Sequence, residues 1–183
     1  WGDRVVFSHC EKAYQQDPAL FDTEAEMYED CVSDFITDFG MLVYRQPVTA
    51  EEHAYLLGLY QAVDNDYAPE AFTVHGPTAY LPDAPSPAFN RASRGLRNVI
   101  AVLLSGPKFL YRVELGDEDG NLTAYELASR LSYHFWNSMP DAELFAAAAD
   151  GSLMTEEGYQ AQVERLAASA KATPVITEFY EDY

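Results

Sequence analysis

Positive charge is scarce in this sequence. Only 11 Lys and Arg stand against 30 Asp and Glu, a formal net charge of −19 at pH 7. Such a surface repels phosphate, which excludes non-specific nucleic-acid binding and disfavours anionic membranes. Apolar runs are short, and none approaches the ~20 residues of a membrane-spanning helix. Cysteine is nearly missing. Cys10 and Cys31 are the only two, with no Cys-x-x-Cys, so neither a c-type haem attachment motif nor a zinc spacing is present. Alternating β-branched runs long enough for a sheet are lacking as well; the one strand candidate, Phe109–Leu115, leads into the acidic turn Gly116–Asn121. What is there is a chain 48% hydrophobic and 14% aromatic, enough for a sizeable core and against global disorder.

Helix starts are written clearly. Thr23, Thr49 and Thr123 each precede a Glu three residues on (Glu26, Glu52, Glu126). This is the capping box, in which the hydroxyl accepts the third helical N–H and the carboxylate reaches back. Apolar residues follow at helical spacing. Met27, Tyr28, Cys31, Val32, Phe35 and Phe39 run to Gly40, the expected stop; Tyr55, Leu56, Leu59, Tyr60 and Val63 form a second stripe. Leu127, Leu131 and Phe135 form a third, with Leu122 and Leu127 placed as a hydrophobic staple. Leu96, Val99, Ile100, Leu103 and Leu104 share a face that ends at Gly106-Pro107. Pro140–Ala149 reads as a helix opened by Ser138 and Asp141 as a reciprocal cap and closed by Gly151. Residues 155–172 carry Tyr159, Val163, Leu166 and Ala170 at helical steps, and Thr173-Pro174 restarts a helix with Pro at its favoured first position.

The expected fold is therefore all-α, an irregular multi-helix bundle in two subregions, 1–63 and 93–183, joined by the Pro-rich loop 64–92. Loops this long are usually functional. Its aromatics Phe72, Tyr80 and Phe89 are candidate partner contacts; the alternative role for the loop is a cover over the two subregions. The chain starts at Trp1 and stops within a helical pattern, so the expectation is a piece of a longer protein.

Chemistry-bearing patterns are few. His9, His53, His75 and His134 show no His-Glu-x-x-His spacing; His53 reads as solvated and His134 as a packed or partly exposed ring. In the acidic turn, Asp117, Asp119, Gly120 and Glu126 fit four positions of a calcium loop, but the first position falls on Leu115, which offers no side-chain oxygen. With so many acids, chance carboxylate pairs carry no information about acid–base catalysis. No Gly-x-Ser-x-Gly elbow or phosphate-cradling Gly loop occurs. Arg112 and Arg130, in apolar surroundings, are candidates for buried ion pairs. Cys10 and Cys31 are either two small buried hydrophobes or a disulfide worth roughly 3 kcal/mol, and the loop-like stretch Gln15–Asp22 between them tilts toward the bond.

One long pattern is specific. Leu104–Glu114 (LSGPKFLYRVE) followed by Tyr125–Asp141 (YELASRLSYHFWNSMPD) closely resembles the signature of the domain-of-unknown-function family fifteen-ninety-two. Upstream, Tyr44–Glu52 (YRQPVTAEE), with Leu56 and Tyr60, resembles its usual neighbour, the fifteen-ninety-five domain. The resemblance implies a large secreted or lipid-anchored bacterial protein of the planctomycete and myxobacterial type, hence an extracytoplasmic location and the Cys10–Cys31 bond. Such proteins usually continue into further domains, one with a Cys-x-x-Cys-His motif typical of covalent haem. That motif is missing here, so no haem ligand carries over and no cofactor is expected in this chain. The family usually has an apolar residue where His134 stands, and it supplies no established catalytic residue. The implied function is a non-catalytic helical interaction or scaffold module whose partners are other protein chains or the rest of its parent protein. The alternative is part of an extracytoplasmic enzyme, a haem-linked redox protein or a hydrolase of surface polymers, with its active centre elsewhere. Thr123, Glu126, Arg130 and Trp136 are then structural.

Overall fold

The computed structural model describes Cys10, Glu11, Asp17 and residues 20–63 and 87–181. Phe72, Tyr80, His9 and His75 lie outside these residues. The fold is all-α: α1 (Glu24–Tyr44), α2 (Ala50–Gln61), α3 (Pro87–Ser105), the single turn α4 (Pro107–Leu110), α5 (Ala124–Trp136), α6 (Ala142–Ala149), a 3-10 turn (Ser152–Met154), α7 (Glu156–Ala168) and α8 (Ala172–Glu181). Among the described residues no helix is long and apolar enough to cross a membrane. The chain forms two compact units, 1–40 with 48–106, and 41–47 with 107–183. The chain passes into the second unit at Met41–Pro47 and again from Pro107, and within the first unit α3 lays its apolar face on α2.

In the first unit, Thr23 Oγ1 accepts the Glu26 N–H at 3.1 Å, as expected, but the Glu26 carboxylate reaches one residue further back, to the Asp22 N–H at 2.8 Å. Met27, Tyr28, Cys31, Val32 and Ile36 form the buried stripe of α1, while Phe35 and Phe39 stack on each other at 4.8 Å, half-buried. Cys31 is bonded to Cys10, their Cα atoms 6.2 Å apart. Thr49 and Glu52 form the complete capping box of α2. Its buried Leu56 and Tyr60 face Ala92, Leu96, Val99 and Leu103 of α3. Each such aliphatic side chain removed from water contributes about 1.5–3 kcal/mol. Gly95 allows that approach, because a Cβ there would meet the Tyr60 ring and carbonyl. Arg91 closes the C-terminus of α2 by donating to the Gln61 and Val63 carbonyls at 3.2 and 3.3 Å. Leu104, expected on the buried face, is exposed.

Gly40 is not the stop of α1. The helix runs through it to Tyr44, and Gly40 is a point of close approach, where a Cβ would run into Val48. The turn is made at Arg45, which takes a left-handed φ of 58°, a conformation usually left to Gly or Asn.

The second unit packs Ala128, Leu131, Trp136, Leu144, Ala147, Ala148, Leu153, Leu166 and Ala172 into one core. Thr123 and Glu126 form the capping box of α5, and Asn137 ends it in a left-handed conformation. Asp141 alone caps α6, accepting from the Leu144 N–H at 3.0 Å; the expected reciprocal pairing with Ser138 does not form. The pattern read as one helix over 155–172 breaks at Ser169, and α8 begins at Ala172, so Pro174 sits third and not first. Pro174 is tolerated there because N–H groups of the first turn have no intrahelical acceptor. Phe109–Leu115 is no strand: it begins in α4 and continues as irregular chain.

Candidate functional site

The irregular segment after α4 is laced onto one face of α5. Glu126, Arg130 and Tyr133 recur at helical steps of four and three, so their side chains lie along one stripe. Glu126 Oε1 accepts the Leu115 and Gly116 N–H groups at 2.8 and 3.1 Å, while Oε2 takes the Thr123 N–H and hydroxyl at 2.8 and 2.9 Å. Burial alone would raise the Glu126 carboxyl, but the Thr123 and Gly116 N–H groups, the Thr123 hydroxyl and the Leu115 N–H outweigh it and hold it below the usual range. One turn on, Arg130 forks onto Glu114, Nε to Oε1 at 3.1 Å and Nη2 to Oε2. That bond lowers the Glu114 carboxyl and raises the guanidinium. A turn further, Arg112 lies over the Tyr133 ring at 4.7 Å. As α5 ascends, the segment descends past it.

Arg45 fixes the start of the segment. It is only 7% exposed and donates to the carbonyls of Lys108 (2.6 Å), Tyr111 (2.8 Å) and Val43 (3.4 Å). A buried guanidinium is tolerated where its donors are matched in this way. Lys108, on α4, lies over the Tyr44 ring at 5.3 Å.

Two adjoining cavities result, all within the second unit. One of about 350 Å³ is lined by Arg112, Glu114, Arg130, Tyr133 and His134. The other, about 140 Å³, shares Arg112 and Glu114 and adds Tyr44, Arg45, Gln46, Lys108, Val113, Leu115, Tyr125, Glu126 and Ser129. Four of the chain's 11 Lys and Arg residues meet here. Their states differ. Arg45 is matched by carbonyls and Arg130 by Glu114, whereas Arg112 makes no hydrogen bond among the described residues. His134 is exposed, with its ring edge-on to Phe135 at 4.8 Å and no hydrogen bond among the described residues. The arrangement offers a guanidinium that makes no hydrogen bond among the described residues and acts on Glu114 only through its charge, an imidazole and several neutral polar groups.

The other residues singled out in the sequence are placed as follows. Arg130 forms its ion pair at the surface, not in the interior: its side chain is 55% exposed and that of Glu114 30%. Arg112 is exposed and has a ring, not a carboxylate, beneath it; the buried arginine is Arg45, whose only sequence signal is the helix-ending Pro47 two residues on. Trp136 is buried, and its indole N–H donates to the Leu166 carbonyl at 3.0 Å. Lys171 and Arg165 lie over its face at 4.5 and 5.5 Å. Arg165 also clasps Asp141, Nη1 to Oδ2 at 2.7 Å and Nη2 to Oδ1 at 3.0 Å. Phe89 is half-buried and meets the Tyr28 ring edge-on at 5.9 Å. His53, expected in solvent, is half-buried, with Nε2 near the Ser33 hydroxyl and carbonyl at 3.2 and 3.1 Å. In the acidic turn, Asp117 Oδ1 accepts the Asp119 and Asn121 N–H groups at 3.0 and 2.8 Å. With Glu126 engaged as above, these acids build a loop, and no group of three metal-ligating side chains occurs among the described residues. A third cavity, of about 440 Å³ in the first unit, is bordered by Glu26, Glu29 and Asp30; Glu29 accepts from Gln61 at 2.7 Å.

These features define an all-α module with a cationic cleft on an acidic body. Residues 122–183, from just before the Thr123 cap through α8, match the family model described as PSD4, Protein of unknown function (DUF1592). This is the family whose signature the sequence resembles; upstream of residue 122 the resemblance, including that to the fifteen-ninety-five domain, stands as an expectation. No curated protein and no solved structure matches the chain.

Proposed function

We propose that this chain is a non-catalytic helical binding module of a larger extracytoplasmic protein, with the cationic cleft of the second unit as its contact site. The observation that carries the reading is the gathering of Arg45, Lys108, Arg112, Arg130 and His134 around adjoining cavities in a chain of net charge −19. Charge concentrated against the bulk field of a protein gives local complementarity to an anionic group. The lacing of the segment onto α5 places Arg112 over the Tyr133 ring, with its N–H groups unengaged among the described residues, an arrangement suited to recognition. Covalent catalysis instead needs a nucleophile within reach of a base.

The match of residues 122–183 to a domain of unknown function supports a place within a larger protein, and the Cys10–Cys31 bond supports an oxidising compartment. The cytochrome association implied by the resemblance belongs to this same proposal, with any haem borne by the parent protein outside this chain. Its test is the absorption spectrum of the intact native protein, where a Soret band is expected. The non-catalytic reading is tested by assaying the chain against redox dyes and chromogenic glycans. No turnover is expected, and saturable turnover by the purified chain would overturn it.

A further inference from the structure

We infer that the cleft takes a single carboxylate carried on a hydroxylated ring, that is, a uronic-acid residue, with Arg112 as the group that grips the carboxylate; this rests on the cleft being the module's contact site.

The anion follows from the state of each cation. Arg130 is neutralised by Glu114 and Arg45 is matched by backbone carbonyls. Arg112 is backed by the Tyr133 ring at 4.7 Å and makes no hydrogen bond among the described residues. A planar fork so backed matches a carboxylate with two parallel hydrogen bonds. His134 stands on the same wall as a further donor.

The charge of the ligand follows from the rest of the protein. Repulsion by a body of −19 grows in proportion to ligand charge. Beyond about 8 Å it is screened at physiological ionic strength, but Glu114 and Glu126 line the cavities themselves. A planar carboxylate meets the guanidinium fork with two parallel hydrogen bonds, whereas a second negative charge on the ligand would be brought against Glu114 and Glu126.

The body of the ligand follows from the neutral wall. Tyr44, Gln46, Tyr125 and Ser129 line the cavity beside Arg112 with hydroxyl and amide groups, while the Glu114 and Glu126 oxygens are already engaged by Arg130 and by backbone and hydroxyl donors. A ring bearing several hydroxyls matches such a surface, whereas an apolar acid would leave it without partners.

Calorimetric titration of the whole chain tests this with free D-galacturonate, its tetramer, D-galactose, acetate and inorganic phosphate. Galacturonate is expected to bind at least about tenfold more tightly than galactose, the difference one charge-assisted bidentate contact provides, and more tightly than acetate through its ring hydroxyls. Acetate binding as tightly would overturn the hydroxylated ring. Arg112→Ala should weaken it by about tenfold or more, and Arg112→Lys by less, since the charge stays and the fork goes. Arg112 is exposed, so both variants should keep the parent circular dichroism spectrum. A tetramer at least as tight as the monomer, in spite of its added charge, marks a glycan chain as the source; a weaker tetramer marks the free sugar acid. Phosphate binding as tightly as galacturonate would overturn the inference in favour of a general anion site. Galactose binding as tightly would remove the carboxylate while leaving the module reading in place. No binding of any probe would also overturn it, whereas the module reading falls only on turnover.

Discussion

Replacing Glu126 by Ala removes the group that joins two jobs. Its carboxylate accepts four hydrogen bonds, two from Thr123 in the capping box and two from the Leu115 and Gly116 N–H groups. A hydrogen bond to a charged group is worth up to ~3 kcal/mol, but at a half-exposed site water takes over much of the lost bonding. We therefore expect a total loss of about 2–3 kcal/mol, against about 1 kcal/mol for Thr123→Ala, which removes the cap alone. The pH dependence has a definite sign. A carboxyl held in the folded chain below its ordinary 4.5 stabilises the fold above that pH and loses the contribution as pH falls through the folded value. The deficit of Glu126→Gln relative to the parent should accordingly be full at neutrality and shrink in acid below pH 4.5. Urea denaturation followed by circular dichroism gives the loss, and amide hydrogen exchange at Leu115 and Gly116 gives its location. A Glu126→Ala midpoint no lower than that of Thr123→Ala, or unchanged exchange at those two amides, would refute the lacing of the segment onto α5.

Asp141 is a second joint, capping α6 while clasped by Arg165. The bond from Arg165 holds its carboxyl below the ordinary 3.8. Asp141→Ala should cost about 2 kcal/mol and Asp141→Asn less, because the amide oxygen can still cap. In thermal melts the Asn deficit should fade only as pH drops through the folded value, and one independent of pH would argue against the ion pair. Gly40→Ala should destabilise by about 1–3 kcal/mol through overpacking against Val48, with recovery in Gly40→Ala/Val48→Ala; a stabilised single variant would show that Val48 moves aside. Reduction of Cys10–Cys31 should lower stability by roughly 3 kcal/mol, and full iodoacetamide uptake by both cysteines before reduction would exclude the bond.

Local chemistry was the legible part. Thr49–Glu52 and Thr123–Glu126 are complete boxes because both halves lie within one turn of chain, and the apolar stripes set the all-α fold. The illegible parts depend on what a distant residue offers. Gly40 carried the usual stop signal, yet the close approach of Val48 claims its missing Cβ, and the turn passes to Arg45, whose strained backbone is held by carbonyls over sixty residues away. Arg130 sits in an apolar-looking sequence but on the helix stripe that faces the irregular segment, so its partner Glu114 keeps it at the surface. Even the capping glutamate hid a second role, since nothing in Thr-x-x-Glu reports that another segment will present two N–H groups to the same carboxylate. The cleft follows from those long-range joints, and for that reason composition and spacing did not show it.

The position of Trp136 has a bearing on where this chain can be cut. The acceptor of its indole N–H and both cations over its face come from Arg165, Leu166 and Lys171, thirty or so residues downstream. A recombinant fragment ending between Ala149 and Arg165 would keep all of α5 and its cleft-lining side chains but strip the indole of all three partners. One ending between Leu166 and Lys171 would still lack the Lys171 cation and Ala172 of the core. The shortest useful expression boundary for the second unit therefore lies beyond the α7–α8 turn, and a shorter piece should show red-shifted tryptophan emission and aggregate, even though every cleft residue is present.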